Sequence, residues 1–440
     1  ARVAANEFPH LSIRIVDLTR VFEPAVAAVR LAAELAQPND EREIALSSDH
    51  RAAVRYAPAA QVREGNGMAL ALPQRGSIDF LEWQPMVRAT PGTGQVEVAV
   101  EATGLNFRDV MWTLGLLPSE ALQDGFAGPT LGMECAGTIT AVGDDVSAFQ
   151  VGDPVLAFAP AAFSSHVTLN ASSVVLRPAD LEAEAAATVP VTFLTAYYAL
   201  VELAQLEEGE TVLLHGGAGG VGLAALQIAK DRGATVFATG GTPAKRALLL
   251  ALGADQVFDS RSLGFGDDIM AETDGEGVDV VLNSLFGEAM ERSIDVLKPF
   301  GRFLELGKRD FYADTKLGLR PFRQNLSYFG IDADQLMKYR TKEAARTLRT
   351  VMDKFTEGTF TALPYRSFDA ASVGDAFRLM QSANHIGKVV VRAPRATEAA
   401  SVGDANIVDG NKQYVLVGGP SGFGFAPAEW LIAEGACHVT

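Results

Sequence analysis

The sequence predicts an α/β protein in which a doubly wound parallel sheet follows a smaller, mostly-β domain. Strands and helices alternate from about residue 190 to residue 308, as in a parallel sheet covered by helices on both faces. Between residues 78 and 175, short alternating strands end in glycine and Gly-Asp turns, which is typical of a small barrel-like domain. A glycine-rich turn, HGGAGGVG over residues 215–222, connects a strand to a helix in the α/β part.

The order of the predicted elements supports this division. In the α/β part, strands are predicted over residues 210–215, 234–239, 255–258, 278–285 and 302–308. Helices are predicted there over residues 222–231, 243–252, 267–272 and 289–297. Elsewhere we predict helices over 24–35 and 341–357, strands over 10–18, within 43–57 and in HIGKVVVRAP, and a linker over 62–76. Strand, helix and strand in succession form the connection that parallel sheets use.

Composition excludes several classes of function for this chain of 440 residues. Its formal net charge is −17, which disfavours binding to nucleic acid or to an anionic membrane surface. Two cysteines, Cys135 and Cys437, exclude a disulfide framework and a four-cysteine zinc site. The apolar, uncharged segment over residues 185–201 is interrupted by Pro190 and predicts a buried segment, with no membrane span. No signal peptide is visible, so we expect a cytoplasmic protein.

The glycine turn has the residue types that hold a diphosphate. Gly216 and Gly217 let the chain leave its strand sharply, and Gly219 and Gly220 let the backbone approach a diphosphate without an intervening Cβ. Gly222 permits close packing of helix on strand, and the helix N-terminus adds free N–H groups and partial positive charge. The predicted cofactor-binding residues of the turn are Gly217, Ala218, Gly219, Gly220, Val221 and Gly222. The alternative is a tight turn that binds no ligand.

The next strand predicts which dinucleotide binds. A cofactor with free ribose hydroxyls usually meets an Asp or Glu at the end of this strand. Here the strand ends in ATGGTPAKR, which contains no acid. Thr242 and Lys245, with Gly241 beside them, are candidates to hold a 2′-phosphate, and a charge-assisted hydrogen bond contributes about 1.5–3 kcal/mol. We therefore predict NADPH over NADH; the alternative for Lys245 is a solvated residue at the start of a helix.

Several motifs, in order along the chain, resemble one family. They are GLNFRD (104–109), VPVTFLTAYYAL (189–200), the AGGVG turn, VDVVLNSL (278–285) and LELGK (304–308). Together they resemble the medium-chain dehydrogenase/reductase superfamily, and within it the enoylreductase domain of type I fatty acid and polyketide synthases, in particular mycobacterial-type reducing synthases. The resemblance covers about residues 78–393. It implies a Rossmann-type domain joined to a GroES-like, mostly-β substrate domain.

The same resemblance argues against zinc. Zinc alcohol dehydrogenases of the superfamily carry a Cys in the early motif and a His in a Gly-His-Glu motif, where this chain has Asn106 and Met133. Cys135 alone makes no tetrahedral site, and the histidines are scattered, with His166 and His215 expected to be structural. We expect no metal. Conjugate reduction needs none, because a thioester-activated alkene already accepts hydride.

The resemblance implies an NADPH-dependent enoyl reductase. In this reaction, hydride goes to the β-carbon of an α,β-unsaturated acyl thioester and a proton goes to the α-carbon. The family points to a lysine and an aspartate in the cleft, which match Lys308 and Asp332, with Asp334 as the alternative aspartate. Lys308 follows a strand's carboxyl end, where ligands bind in this fold. An ion pair or phosphate contact is the alternative role for Lys308, and a surface or helix-capping acid is the alternative for Asp332.

Further residues match positions that contact or border the cofactor in the superfamily. They are Asn106, Thr195, Asn283, Leu306, Gly307 and Lys388. For Thr195, packing within an apolar helix is the alternative. Lys388 either reaches a cofactor phosphate or flanks a strand. Arg108 and Asp109 are expected to pair and to brace their loop.

The flanking sequences predict a piece of a longer, multidomain chain. The sequence does not begin with Met, and ANEFPHLSIRIVDL resembles the end of the ketoreductase-like structural segment that precedes this domain in such synthases. YVLVGGPSGFG resembles the opening nucleotide turn of the ketoreductase that follows. The expected parts are 1–76 (preceding segment and linker), 77–192 (substrate domain), 193–332 (NADPH-binding domain), 333–393 (return to the substrate domain), 394–412 (linker) and 413–440 (truncated ketoreductase start).

The resemblance also implies partners. These are an acyl carrier protein with a phosphopantetheine-bound enoyl substrate, other domains of the same synthase, and a second copy in a homodimer. Because carrier proteins are usually acidic too, tethering and a local basic patch have to offset repulsion; Arg320, Arg323, Lys338 and Arg340 are candidates, a solvated face being the alternative. Two other functions stay open: a stand-alone, zinc-free quinone oxidoreductase, and a non-catalytic scaffold domain that retains the reductase fold.

Overall fold

A computed structural model of the chain describes residues 15–18, 24–36, 43–46, 51–53, 66–117, 121–122, 125–394, 413–414 and 438–439. The chain forms two compact units, Ala1–Arg63 and Glu64–Thr440.

The described strands and helices have the following bounds. The strands are β1 Ile15–Leu18, β2 Glu43–Leu46, β3 Arg51–Ala53, β4 Gly67–Ala71, β5 Glu82–Met86, β6 Gln95–Leu105, β7 Glu134–Val142, β8 Pro154–Phe158, β9 His166–Asn170, β10 Val174–Leu176, β11 Thr211–Leu214, β12 Thr235–Thr239, β13 Gln256–Phe258, β14 Val278–Asn283, β15 Leu297–Glu305, β16 Ser327–Gly330, β17 Tyr365–Phe368, β18 Lys388–Arg392, β19 Gln413–Tyr414 and β20 His438–Val439. The helices are α1 Pro24–Ala36, α2 Phe107–Thr113, α3 Ala183–Ala186, α4 Pro190–Tyr197, α5 Gly220–Asp231, α6 Pro243–Ala251, α7 Phe265–Glu272, α8 Glu288–Asp295, α9 Arg309–Tyr312, α10 Ala333–Tyr339, α11 Thr341–Thr356 and α12 Val373–Gln381. A π-helical turn, Tyr198–Leu203, continues α4, and short 3₁₀ turns lie at Ile78–Phe80, Ala171–Ser173, Pro321–Gln324 and Ala370–Ser372.

The smaller unit contains a short sheet and helix α1. Strand β1 pairs in parallel with β2, and β2 pairs antiparallel with β3. The carboxylate of Glu34 on α1 accepts a hydrogen bond from Nε of Arg51 on β3 at 2.6 Å, which ties the helix to the sheet. The predicted helix over 24–35 is confirmed, and the strand predictions over 10–18 and 43–57 are confirmed over β1, β2 and β3. The rest of those two ranges lies outside the described residues.

The mostly-β domain of the larger unit is built on one sheet, with strand order β10-β8-β7-β6-β18-β17 and with β9 also paired to β6. Neighbouring strands are antiparallel, except β17 and β18, which are parallel. The last two strands follow the α/β part in sequence, so the chain returns to this sheet after completing the other. The prediction of a strand in HIGKVVVRAP is confirmed, whereas β17, in PYRSFD, was not predicted.

Strand β4 lies where a linker was predicted. It pairs antiparallel with β5, and the backbone N–H of Leu70 donates to the carbonyl of Phe163 at 2.8 Å. The glycines, proline and glutamine that indicated a linker surround a short GMALA run. Because side chains alternate along a strand, Met68 and Leu70 share one face of this run, and both are buried. The linker prediction over 62–76 is therefore wrong at this strand.

The α/β part has the sheet order β13-β12-β11-β14-β15-β16, and all its strands are parallel. Counted from β11, this is the order 3-2-1-4-5-6 of a Rossmann fold, in which ligands bind at the carboxyl ends of the strands where the order reverses. The predicted fold class is confirmed. The predicted elements are all found, with shifted ends: α5 begins at Gly220, two residues before the prediction, and β15 begins at Leu297.

Helical residues Ala183–Leu203 pack inside the larger unit. In length and composition this segment, alone among the described residues, could cross a membrane, but 72% of its most apolar window is buried in the protein. Phe193, Leu194 and Leu200 are fully buried and join one core cluster with α5 and α11. The segment is a core helix, in agreement with the prediction of a buried segment over 185–201.

Several helices were not predicted from the sequence, notably α2, α10 and α12, whereas α11 was predicted correctly. The predicted linker over 394–412 lies outside the described residues except at its first position. Of residues 413–440, the structure describes β19 and β20, which pair in parallel; the glycine motif between them lies outside the described residues.

Candidate active site

The carboxyl ends of β11, β14, β15 and β16 meet at one edge of the parallel sheet. The glycine turn follows β11, Asn283 ends β14, residues 306–308 follow β15, and Asp332 follows β16. This edge is where a Rossmann fold binds its ligand. The structure therefore brings most of the predicted site residues to one place.

The glycine turn has the geometry expected of a nucleotide-binding turn. Gly216 has φ +61°, a conformation that residues with a side chain rarely adopt. A Cβ on Gly222 would lie 2.6 Å from Cα of Gly217, so helix α5 packs directly on the turn. A Cβ on Gly220 would lie 2.9 Å from Cγ2 of Thr192. Gly219 caps α5 without a side-chain hydrogen bond, which leaves the first N–H groups of the helix available to an anion.

Residues next to the glycine turn provide positive charge at the end of β12. Thr242 caps helix α6, its Oγ1 accepting from the N–H of Lys245 at 3.2 Å. The ammonium of Lys245 donates to the carbonyl of Ala383 at 2.9 Å, and burial together with the charge of Arg261 lowers its pKa. Arg261, which was not predicted, lies beside Gly241, where a Cβ would be 3.1 Å from its Nε. These groups fit a 2′-phosphate.

Lys308 and Asp332 form an ion pair at the same edge. Nζ of Lys308 lies 2.8 Å from Oδ1 of Asp332, and the two side chains are 33% and 29% exposed. Asp332 also caps α10, because the same Oδ1 accepts from the N–H of Asp334 at 3.1 Å. Asp334 is buried, and its carboxylate accepts from the backbone N–H of Phe126 at 2.9 Å, so it braces a neighbouring segment. Of the two aspartates, only Asp332 meets the lysine.

A buried carboxylate, which was not predicted, supports the turn that carries Lys308. Glu305 ends β15 and is fully buried; it accepts from the amide of Asn283 at 2.6 Å and from the N–H of Gly307 at 2.5 Å. The backbone N–H of Leu306 donates to the carbonyl of Asn283 at 2.9 Å. Burial raises the pKa of Glu305 to about 7. Asn283, Leu306 and Gly307 thus form one connected border of the site. In the sequence, an acidic residue within the apolar run FLEL could have pointed to Glu305.

Lys388 and Asn106 belong to a second buried group, organised by Glu134. Nζ of Lys388 lies 2.6 Å from the Glu134 carboxylate and donates to Oδ1 of Asn106 at 2.7 Å. Asn106 also donates to Glu134 at 2.9 Å, and the Val191 N–H donates to it at 2.8 Å. The Lys388 ammonium is thus engaged by protein groups, although its Cδ would lie 3.5 Å from a Cβ on Gly220. In the sequence, the acidic residue within the uncharged run GMECAG could have pointed to Glu134.

Several other predicted residues have structural partners. The Thr195 hydroxyl donates to the Val191 carbonyl at 2.7 Å within its own helix, and the residue is buried. Asp109 is fully buried and accepts from the N–H of Gly132 at 2.8 Å; burial raises its pKa. Arg108 lies 3.9 Å from Asp109 and donates to two loop carbonyls, so this pair braces the loop.

His215 is structural. Its Nε2 lies 2.8 Å from the Ser293 hydroxyl and its Nδ1 lies 3.1 Å from the Thr239 hydroxyl. Complete burial lowers its pKa to about 3, so it is neutral at physiological pH.

The residues at the zinc positions of the superfamily do not form a zinc site. Asn106 is bonded to Glu134 and Lys388, and Met133 is buried in the core. Cys135 is buried, which raises the pKa of its thiol to about 12, whereas zinc binds thiolate. Within the described ranges, no three His, Cys, Asp or Glu side chains cluster in a way that could hold a metal ion.

Family models match both domains. The model described as an alcohol dehydrogenase GroES-like domain matches residues 92–178, and the model described as a zinc-binding dehydrogenase matches residues 252–391. Among solved structures, the crystal structure of CurK enoyl reductase is 42% identical, with a TM-score of 0.70, and covers 75% of this chain and 100% of its own. The chain belongs to the enoyl reductase family. The structure of JamJ enoyl reductase is 34% identical, with a TM-score of 0.69, over 74% of this chain and 99% of its own.

The curated relatives of this enoyl reductase are polyketide synthases and related acid synthases. It is 39% identical to a phenolphthiocerol/phthiocerol polyketide synthase of Mycobacterium tuberculosis, over 99% of this chain and 21% of the relative. It is 36% identical to the phthioceranic/hydroxyphthioceranic acid synthase of Mycobacterium bovis, over 100% of this chain and 21% of the relative. The chain thus spans about a fifth of the length of these relatives. The predicted resemblance, including its mycobacterial type, is confirmed.

Proposed function

We propose that this enoyl reductase domain uses NADPH to reduce an α,β-unsaturated acyl thioester presented by an acyl carrier protein. The observation that carries the proposal is the Lys308–Asp332 pair, at 2.8 Å, on the sheet edge that also carries the glycine turn. A proton source and a dinucleotide site on one edge are what addition of hydride and proton across a double bond requires.

NADPH fits the groups on this edge. The turn over residues 217–222 and the N-terminus of α5 would hold the diphosphate. Thr242, Lys245 and Arg261 would hold the 2′-phosphate, and the border of Asn283, Leu306 and Gly307 would face the nicotinamide. When bound, NADPH supplies the hydride that is added to the β-carbon of the substrate. A similar solved structure, that of mycobacterial Rv1454c at 27% identity and a TM-score of 0.64, is a complex with NADPH.

The protein itself supplies the proton that is added to the α-carbon. Lys308 holds a proton at Nζ and gives it to the α-carbon as negative charge develops on the thioester enolate. The Asp332 carboxylate orients the ammonium. The partly exposed Lys308 side chain then recovers a proton from solvent, so one hydride and one proton are consumed in each turnover. Asp332 is held in turn by its position at the start of α10.

The partners follow from the same proposal. The substrate arrives as an enoyl group on the phosphopantetheine of a carrier protein, within a cytoplasmic synthase whose other domains flank residues 77–393. We propose that the domain works as a homodimer. The proposed docking surface for an acidic carrier protein consists of four exposed basic residues, Arg320, Arg323, Lys338 and Arg340. Tethering raises the effective concentration of the carrier.

The decisive experiment follows reduction of crotonyl-pantetheine by this chain. NADPH loss is measured at 340 nm, and the product is identified by mass. The expected result is butyryl-pantetheine, two hydrogens heavier than the substrate, with one deuterium at the β-carbon when deuterated NADPH is used. Product identification is necessary because a similar solved structure, at 35% identity, is an ER cyclopropanase. A carrier protein loaded with the crotonyl group should be a better substrate than the free thioester.

Two controls separate this proposal from its alternatives. A quinone replaces the thioester in a parallel assay; reduction of the quinone alone would favour a quinone oxidoreductase. The absence of NADPH binding by the folded chain would favour a non-catalytic scaffold. NADH measured beside NADPH tests the cofactor preference.

A further inference from the structure

His385 carries a buried polar atom that has no partner. Its Nδ1 is inaccessible to solvent and makes no hydrogen bond. Two other described side-chain nitrogens share this condition, Nε of Arg177 and Nε of Arg302. Both belong to guanidinium groups that are bonded through another nitrogen, Arg302 to Glu210 and Arg177 to Leu181. The His385 ring is different, because Nδ1 of a histidine can take up a proton and become a donor.

The loop that carries His385 is attached to the cofactor site at two points. The N–H of Gly387 donates to the carbonyl of Ala218 at 2.8 Å, and Gly387 forms a β-bridge with Gly219 of the glycine turn. Near the other end of the loop, the carbonyl of Ala383 accepts from the Lys245 ammonium at 2.9 Å. His385 thus lies between the turn proposed for the diphosphate and the lysine proposed for the 2′-phosphate.

The charges around this ring are positive. The ammonium groups of Lys245 on α6 and Lys388 on β18 both act on His385, and together with burial they lower its pKa. The Leu379 backbone, on α12, opposes this shift in part. Nδ1 of the neutral ring is left without a partner. Lys388 is already paired with Glu134, whereas Lys245 bonds a neutral carbonyl. A phosphate arriving here would bring an acceptor and further negative charge.

We propose that His385 is a phosphate-binding residue of the dinucleotide site, and that its ring takes up a proton when the cofactor binds. Because Nδ1 is buried in the free protein, the ring turns when the cofactor binds. The turned ring takes a proton from solvent, and Nδ1–H then donates to a phosphate oxygen. The inference rests on the proposed use of NADPH. Binding is then coupled to pH: the affinity is highest where the free ring is already protonated and falls as pH rises, by at most tenfold per pH unit for one proton.

The test is isothermal titration calorimetry of the full chain with NADP⁺, at pH 6, 7 and 8. Each titration is repeated in two buffers that differ in ionisation enthalpy, which gives the number of protons taken up. We expect wild-type uptake to approach one proton per cofactor at pH 7–8. His385→Gln should abolish the uptake and weaken binding about tenfold or more, as expected for the loss of a charge-assisted hydrogen bond. His166→Gln, which alters another half-buried histidine, is the matched control and should behave as wild type.

Two further measurements keep the inference open to refutation if His385→Gln folds poorly. The first is the ³¹P spectrum of NADP⁺ bound to wild-type protein, whose resonances should titrate with pH. The second is the number of protons taken up when NADH binds, because NADH has the diphosphate and lacks the 2′-phosphate. Uptake with both cofactors assigns His385 to the diphosphate; uptake with NADP⁺ alone assigns it to the 2′-phosphate. Equal uptake and equal affinity in wild type and His385→Gln would overturn the inference while NADPH-dependent reduction stands. A wild-type chain that binds no NADP⁺ would overturn both.

Discussion

Nζ of Lys308 lies 2.8 Å from Oδ1 of Asp332, although the two residues follow different strands, β15 and β16. The strands are neighbours in a parallel sheet, so their carboxyl ends fall side by side. Other groups hold both members of the pair in place. Lys308 follows the turn that Glu305 holds, and Asp332 caps α10. The geometry on which the proposed role of Lys308 as proton donor rests is thus built into the sheet.

Removing Lys308 should slow the chemical step. We expect Lys308→Ala to lower kcat for crotonyl-pantetheine about a hundredfold, within the range found for general acids, and to leave the Kd of NADPH within about threefold. Stopped-flow measurement of hydride transfer with saturating NADPH gives the rate. If Lys308→Ala and Asp332→Ala both turn over at nearly the wild-type rate, the proton comes from another group or from water.

Asp332 serves as ion-pair partner and helix cap, and two substitutions separate these roles. Asp332→Asn keeps an acceptor for the α10 cap and removes the charge, so it should lower kcat with little change in thermal stability. Asp332→Ala removes both and should also cost about 1 kcal/mol of stability. Thermal denaturation beside kcat distinguishes them. Equal kcat in wild type and Asp332→Asn would exclude a role for the charge.

Reversing the charge of Lys245 should change cofactor preference. Lys245→Glu puts a carboxylate where the 2′-phosphate is proposed, so the ratio of kcat/KM for NADPH to that for NADH should fall at least tenfold. Lys230→Glu, the same change of charge at the far end of α5, is the control and should leave the ratio unaltered. An unchanged ratio in Lys245→Glu would contradict the assignment of this site.

In the buried pair of Lys388 and Glu134, removing one charge should cost more stability than removing both. Lys388→Met leaves the fully buried Glu134 carboxylate without its cation and should destabilise the protein by about 3 kcal/mol. The double variant Glu134→Gln/Lys388→Met removes both charges and keeps an acceptor for the Val191 N–H, so it should recover much of the loss. Urea denaturation of Lys388→Met, Glu134→Gln and the double variant measures this. A double variant as unstable as the sum of its single changes would show that the pair is not coupled.

Glu305 should make stability depend on pH in an unusual direction. Its pKa is raised from 4.5 to about 7, chiefly by burial. Between these values the folded state holds a proton that the unfolded chain has released, so the free energy of unfolding falls as pH rises, by about 2 kcal/mol from this group. Urea denaturation at pH 5 and pH 7 should show the fall in wild type and a smaller one in Glu305→Gln. Identical slopes would place the titration elsewhere.

The sequence was informative where a rule links local pattern to a place in the fold. The strand–glycine–helix order placed the turn over residues 217–222, and the carboxyl-end rule placed Lys308 on the correct edge. The missing acid after β12 pointed to Lys245. These predictions needed only neighbours along the chain and a parallel sheet.

The residues that were missed depend on partners distant in sequence. Glu134 is explained by Lys388, which lies on a strand that returns from the end of the domain. Arg261, beside Gly241, belongs to the loop after β13, and His385, whose role is proposed, belongs to the loop before β18. The GMALA strand was missed because its glycine-rich surroundings outweighed a two-residue alternation. No rule for neighbouring residues can find contacts that only the finished sheet creates.

The position of β18 has a consequence for synthesis of the protein. Asn106 and Lys388, whose side chains bond at 2.7 Å, are 282 residues apart. At roughly 5–20 residues per second, a ribosome needs roughly 15–55 s to make the interval between them. During that time the edge of β6 that β18 later covers has unpaired backbone groups, ready to pair with another nascent chain. A piece of the chain that contains β6 but ends before Arg392 therefore lacks the strand that covers this edge.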